Sequence, residues 1–195
     1  MSRSKAKSHA QPDDYTCGPA SLKTALDILG RRVSLTSLIP LCKTTKNGTS
    51  VKNLISAINH LGYPVLAVEW ATLHHLQSAL KYQLDQPRGV IVNYQEIDDG
   101  DPEDESGHYA TVAGYSSRDS RIILFDSYSG KKKSYKWTDF IDIWYDYDFR
   151  RIRRHHRGQQ FKLTRRFYNR LLLIVTKDIS HLPKYSISTA KLFEP

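Results

Sequence analysis

At 195 residues the chain is long enough for one domain with a real core and short of what two ordinary domains need; 39% hydrophobic content with 12 Tyr, 6 Phe and 3 Trp excludes a disordered chain. Two cysteines are too few for a disulfide-built secreted scaffold, and the longest apolar run, the five residues Leu171 to Val175, is far below the ~20 that span a bilayer. A net charge of +9 attracts polyanions, and the excess is concentrated in the first seven positions and between Arg150 and Arg170.

Residues 1–10 read as a mobile basic tail, which leaves 11–195 as a single domain. No apolar stretch follows the basic N-terminus, so a signal peptide is not expected and the default location is cytoplasmic. From Cys17 onward, Leu22, Ala25, Leu26 and Leu29 follow helical spacing, and Gly30 sits where a helix ends. Pro19 fits only in a first turn, which puts Cys17 at the helix N-terminus. A short helix is expected over Leu35 to Leu41. The Asn47-Gly48-Thr49-Ser50 turn then leads into an amphipathic helix marked by Val51, Leu54, Ile55, Ile58 and Leu61, which stops at Gly62.

Tyr63 to Glu69 reads as a strand, Thr72 to Leu84 as a helix and Gly89 to Tyr94 as a strand. The acidic stretch Glu96 to Glu105 is expected as a solvated loop, with a lip that attracts basic substrate as the alternative. His108 to Tyr115 and Arg121 to Asp126 form successive strands around a turn at Ser116 to Ser120. Lys132 to Trp137 reads as a further strand, Thr138 to Trp144 as a helix, and Leu171 to Thr176 as a closing strand. Helices dominate the first half and antiparallel strands the second. This predicts an α+β domain of two lobes, an N-terminal helical one packed on a C-terminal sheet, with a cleft between them.

Three positions carry chemistry in this frame. A cysteine at a helix N-terminus sits where the dipole and the free N–H groups favour negative charge, which suits Cys17 to a nucleophilic role. Its own N–H and the side-chain amide of Gln11 are candidate oxyanion donors. Gly18, beside the nucleophile, leaves space for a substrate carbonyl. His108 opens an apolar strand directly after Gly107, where its imidazole can accept and return a proton. Asp126 ends the next strand and can hold that imidazole. Cys42 follows an apolar helix and reads as core. The remaining histidines lack metal-ligand spacing, so neither zinc nor a cofactor is expected.

The segments Gln11-x5-Cys17-Gly-Pro-Ala-Ser-Leu, Gly107-His108-Tyr-Ala-Thr-Val-Ala-Gly-Tyr, and Asp126 with Gly130 resemble cysteine peptidase family thirty-nine. Its best-known members are bacteriocin-processing, double-glycine leader peptidases of papain-like fold. The likeness runs from Gln11 to about Trp144 and takes in Gly48-Thr-Ser, Gly62-Tyr, Arg88-Gly-Val-Ile-Val and Trp137-Thr-Asp-Phe140. It implies a papain-like fold, Gln11 in the oxyanion hole, Cys17 as the acyl-enzyme nucleophile, His108 as acid and base, Asp126 as orienter, and substrate contacts at Gly18 and Gly107.

Two departures stand out. Most such leader peptidases are the N-terminal domain of an ABC transporter, whereas this sequence has no transmembrane or Walker A segment, so a free-standing form is expected. Asp126 is followed by Ser127 where the family usually has proline. The expected partner is a peptide or protein substrate, and Arg150 to Arg170 is a surface for an anionic one. An acyltransferase or transglutaminase-like use of the same triad, a silent peptide-binding domain, and an anion-binding protein are the alternatives.

Overall fold

The computed structural model describes residues 7–81, 85–98, 101–154, 160–185 and 188–195. Four helices and a strand form first: α1 (Cys17–Ile28), α2 (Leu35–Leu41), α3 (Val51–His60), β1 (Val65–Val68) and α4 (Leu73–Leu80). Next come β2 (Gly89–Asp98), β3 (Asp101–Ser116), β4 (Arg121–Asp126), β5 (Lys132–Lys136) and α5 (Trp137–Ile143). The chain ends with β6 (Tyr145–Arg154), β7 (Gln160–Asn169), β8 (Leu172–Val175) and β9 (Ala190–Phe193).

Local chemistry explains the helix ends. Gly30 and Gly62 follow α1 and α3 with φ of +79° and +85°, the left-handed geometry that glycine adopts without a Cβ clash. Ser34 and Ser50 cap α2 and α3 through their hydroxyls, which accept from Ser37 N–H and Asn53 N–H. At the start of α4, Thr72 and His75 bond reciprocally in a capping box.

Seven strands make one antiparallel sheet in the order β5-β4-β3-β2-β8-β1-β9. It is covered on both faces. Val65, Ala67, Ile91, Leu173 and Val175 pack under α1, α2 and α3. Their alternates Leu66, Val68, Val90, Val92, Leu172 and Ile174 meet α4, α5 and Trp144. A strand buried on both faces cannot alternate polar with apolar, which is why β8 reads as an unbroken apolar run. The remaining two strands, β6 and β7, pair into a separate ribbon.

The mixed helix and antiparallel-sheet composition is the α+β, papain-like arrangement, with several corrections to the sequence reading. The helical half contributes β1 to the sheet interior, and α4 and α5 cover the face opposite α1. The strand at Leu172–Val175 is interior, between β2 and β1, and β9 is the edge. The acidic stretch expected as a loop is carried by β2 and β3, with Glu96 paired to Ser106 and Asp98 to Asp101. Leu84, the expected end of α4, lies outside the described residues, and α4 itself stops at Leu80. Residues 1–6 of the expected tail also lie outside them. Ser8, by contrast, donates to the carbonyl of Asp126 at 2.8 Å, and His9 pairs with Asp27 at 2.5 Å.

Helix α1 approaches the sheet closely at one point. A Cβ on Gly89 would lie 2.8 Å from the Ala25 Cβ and 3.2 Å from its backbone Cα, so only glycine permits this separation. Gly89→Ala therefore forces α1 off β2, at ~1–3 kcal/mol for an overpacked contact. Thermal unfolding followed by circular dichroism is expected to show a melting temperature lowered by several degrees, at about 2–4 °C per kcal/mol.

Candidate active site

The N-terminus of α1 and the start of the hydrophobic part of β3 are joined by two buried hydrogen bonds. Ser21, one turn after Cys17, donates through its hydroxyl to Tyr109 O at 2.7 Å. Thr111 returns a bond from its own hydroxyl to Ser21 O, also at 2.7 Å. Cys17 and His108 each lie next to this junction, and both are buried. Cys17 is among the neighbours that favour a charged imidazole.

The register of β3 on β4 brings in the carboxylate. Asp126 pairs with Ala110, two residues along from His108, so the histidine and the aspartate are diagonal neighbours on one face. A β-bulge sets this parity. Pairing runs Tyr115↔Ile122 and Gly114↔Ile123, then skips Ala113 and resumes at Val112↔Leu124. Were Ala113 paired in a regular ladder, Asp126 would lie opposite Thr111 and share the face of Tyr109 instead. With it, His108 Nε2 lies 3.0 Å from Asp126 Oδ1.

Asp126 is held as an anion. Burial works against its charge, but the imidazole, the Ser129 hydroxyl and the Ser129 N–H outweigh that and hold the carboxyl well below the usual carboxylate range. Tyr128 N–H adds a bond to Oδ1 at 3.2 Å, and Ser129 N–H reaches Oδ2 at 3.0 Å. For His108, burial opposes the charged form. The bond to Asp126, the contact with Cys17 and the charge of Glu96 prevail and raise its pKa from 6.5 to about 10.

Gln11 lies on the same turn. Its N–H donates to Ser127 O at 2.7 Å, and its Oε1 accepts from the Ser127 hydroxyl at 2.9 Å. One Nε2 hydrogen goes to Asp13 O at 2.8 Å, which leaves the other for a further acceptor. The serine that departs from the resembled pattern is thus what fixes the Gln11 side chain, a bond that proline cannot make.

Gly18 and Gly107 both face protein. A Cβ on Gly18 would lie 2.9 Å from Thr49 Cβ, and one on Gly107 would lie 2.7 Å from Asp146 Cγ. The sequence reading missed Asp146 altogether. It is a half-buried carboxyl that accepts from Gln95 at 3.1 Å and from Tyr147 N–H at 2.7 Å. Burial, aided by the charge of Asp148, pushes its pKa up to about 7. Glu96 was legible only as part of an acidic run. Its carboxylate lies 3.7 Å from His108 Nδ1 and 2.5 Å from Lys133 Nζ.

Glu96, His108 and Asp126 offer donor atoms within 4.8 Å of one another. The Lys133 ammonium already supplies the cation beside Glu96, and Asp126 is bonded to the imidazole and to Ser129. The cluster therefore reads as an ion-pair network rather than a metal centre. Cys42, as expected, is fully buried, and desolvation pushes its thiol up to about 12, which leaves it unreactive.

Residues 4–152 match the Peptidase_C39 like family. The chain belongs to this family. Three solved structures share the fold of this C39-like chain. The peptidase domain of Streptococcus ComA, described as a bi-functional ABC transporter involved in quorum sensing, superposes with a TM-score of 0.63 at 19% identity, over 89% of this chain and 99% of that one. A double glycine motif protease from an AMS/PCAT transporter, solved with its leader peptide, gives 0.59 at 13% identity, over 90% and 94%. The peptidase domain of Streptococcus mutans ComA gives 0.53 at 19% identity, over 87% and 98%. No curated protein matches the C39-like chain. None of its helices, among the described residues, is long and apolar enough to cross a membrane.

Two expectations follow for the C39-like site. Thr111→Val removes the second donor to the buried Ser21 carbonyl, which keeps its helical bond from Ala25 N–H, and costs ~0.5–1.5 kcal/mol, read as a lower urea midpoint. The raised pKa of His108 means the folded chain keeps a proton that the unfolded chain loses above 6.5. Stability from this group is complete below pH 6.5 and is lost as pH rises toward about 10. Denaturant titrations across that interval are expected to show the decline, and His108→Gln to flatten it.

Proposed function

We propose that this chain is a cysteine peptidase that hydrolyses a peptide bond through a thioester on Cys17. The observation that carries the reading is the His108 imidazole, bonded through Nε2 to a charged Asp126 and with its charge also favoured by Cys17, which opens a helix. Membership of the C39-like family supports the same chemistry.

In the proposed cycle the neutral imidazole, whose proton affinity is raised by its surroundings, takes the thiol proton, and the resting pair is a thiolate beside an imidazolium. Thr16 makes no side-chain cap on α1, so the first-turn N–H groups stay available to stabilise charge at the sulfur. The thiolate attacks the scissile carbonyl carbon. Negative charge then develops on the carbonyl oxygen, where Cys17 N–H and the spare Gln11 Nε2 hydrogen are the proposed donors. Collapse breaks the C–N bond as the imidazolium gives its proton to the departing amine. Water, deprotonated by the now neutral imidazole, attacks the thioester; the acid product leaves and the thiol is restored. Asp126 holds the ring and stabilises its charge without taking the proton.

The proposed substrate is a peptide or protein segment, with leader processing as the specific class. The solved protease from the AMS/PCAT transporter binds a leader peptide, and its peptidase domain shares this fold. An acyltransferase would use the same thioester and differ only in the final acceptor. Product analysis with and without an added amine separates the two.

Cys17→Ala is expected to abolish cleavage of peptide libraries that include double-glycine leaders. His108→Ala is expected to slow alkylation of Cys17 by iodoacetamide at neutral pH by tenfold or more, of the order general-base assistance supplies. Labelling of Cys17 at the same rate in both proteins would count against the thiolate–imidazolium pair. Ser127→Ala, which frees Gln11, is expected to lower kcat with little change in KM, as loss of an interaction made in the transition state does.

A further inference from the structure

The ribbon of β6 and β7 takes no part in the proposed chemistry, yet it holds most of the charge of the protein. Residues 145–170 contain nine Lys and Arg against two Asp, a surplus of seven out of the chain's +9. Its two faces differ. The inner one is tied to the domain: Asp148 accepts from Val51 N–H at 3.0 Å and from the Tyr168 hydroxyl at 3.1 Å, while Asp146 accepts from Gln95. The outer one carries Tyr147, Phe149, Leu163, Arg165 and Phe167, with Phe149 57%, Leu163 58% and Phe167 44% exposed. Register pairs Tyr147 with Phe167 and Phe149 with Arg165, and Arg151 with Leu163 next along the ribbon. Large apolar side chains are therefore presented to solvent within a strongly basic element.

We infer that this outer face docks on an anionic lipid surface, its arginines meeting phosphate headgroups and Phe149, Leu163 and Phe167 entering the headgroup–acyl boundary. An interfacial element requires this pairing of apolar and cationic groups, and each stabilises the other's contact with the membrane. A single-stranded nucleic acid would share the charge and needs open ring faces on which bases stack. Here the central ring is engaged by its neighbours. Tyr147 packs on Phe167 and edge-on to Phe149 at centroid distances of 5.5 and 5.4 Å, and the Arg165 guanidinium covers Tyr147 at 4.5 Å. Leu163 has no ring to offer. Charge complementarity and the exposed aliphatic group both select lipid.

The full chain would be pelleted with vesicles of phosphatidylcholine alone and with vesicles containing phosphatidylglycerol. Binding is expected only to the anionic vesicles and to fall as salt is raised. Phe149→Ser/Leu163→Ser, which removes the apolar groups and leaves every charge, is expected to weaken partitioning about tenfold or more, and Arg165→Glu on the same face to weaken it as well. Circular dichroism and melting temperature matching the parent chain show that the variants are folded. The salt titration of the parent chain tests the inference without any variant. Equal binding to both vesicle types, no binding at low salt, or unchanged partitioning of Phe149→Ser/Leu163→Ser would overturn it. So would tighter binding to a single-stranded oligonucleotide than to vesicles, or a dimer, seen by sedimentation, that the apolar variant dissolves.

Discussion

Two hydrogen bonds between Ser21 and β3 hold the N-terminus of α1 against the strand that carries His108. Each contributes little net stability, about 1 kcal/mol, because folding exchanges it for bonds to water. Their weight lies in position. Both are buried, so a shifted helix would strand the Ser21 and Thr111 hydroxyls in the core, and that penalty favours one seating of α1. Gly89 supports the same placement by letting Ala25 reach the sheet, and Thr49 packs on Gly18 in the first turn. Cys17 and His108, ninety-one residues apart in the chain, come together because nothing between them is free to slide.

Around that junction the charges are sorted by environment. Asp126 is surrounded by donors and stays ionised, whereas Asp146, half-buried behind Gly107, is drawn toward its neutral form. Glu96 lies on the far side of the imidazole and is neutralised in part by Lys133. The histidine thus lies between two carboxylates, one bonded to Nε2 and one facing Nδ1. This double attraction overcomes the cost of burying an imidazolium.

Much of this was legible in the chain. The period of Leu22, Ala25, Leu26 and Leu29, with Gly30 after it, defines α1 because helix burial and left-handed glycine are local effects. His108 and Asp126 flank a hairpin, again a local signal. Long-range pairing was harder to read. Nothing near β1 shows that it lies between β8 and β9, and the apolar run of β8 suits an interior strand as well as a closing one. The charges of residues 96–105 point to a loop, yet the strand backbone tolerates them because pairing is made by the main chain. In β6, Tyr147 and Phe149 alternate with Asp146 and Asp148, a strand period that the surrounding arginines obscure. Thr49 and Asp146, the side chains that pack where a Cβ on Gly18 or Gly107 would lie, are far from them in sequence and gave no local signal.

The bulge at Ala113 changes how relatives of this chain ought to be compared. Glutamine, cysteine, histidine and aspartate can all be present while the last points to the wrong side of the sheet, because a strand inverts its outlook with every one-residue change of register. A relative with the same spacing and turn but no bulge would pass a motif inspection and still lack a working dyad, whereas one shortened by the bulged residue itself would pair regularly and keep it. Odd and even spacing in that hairpin therefore carries information about competence that residue identity alone does not.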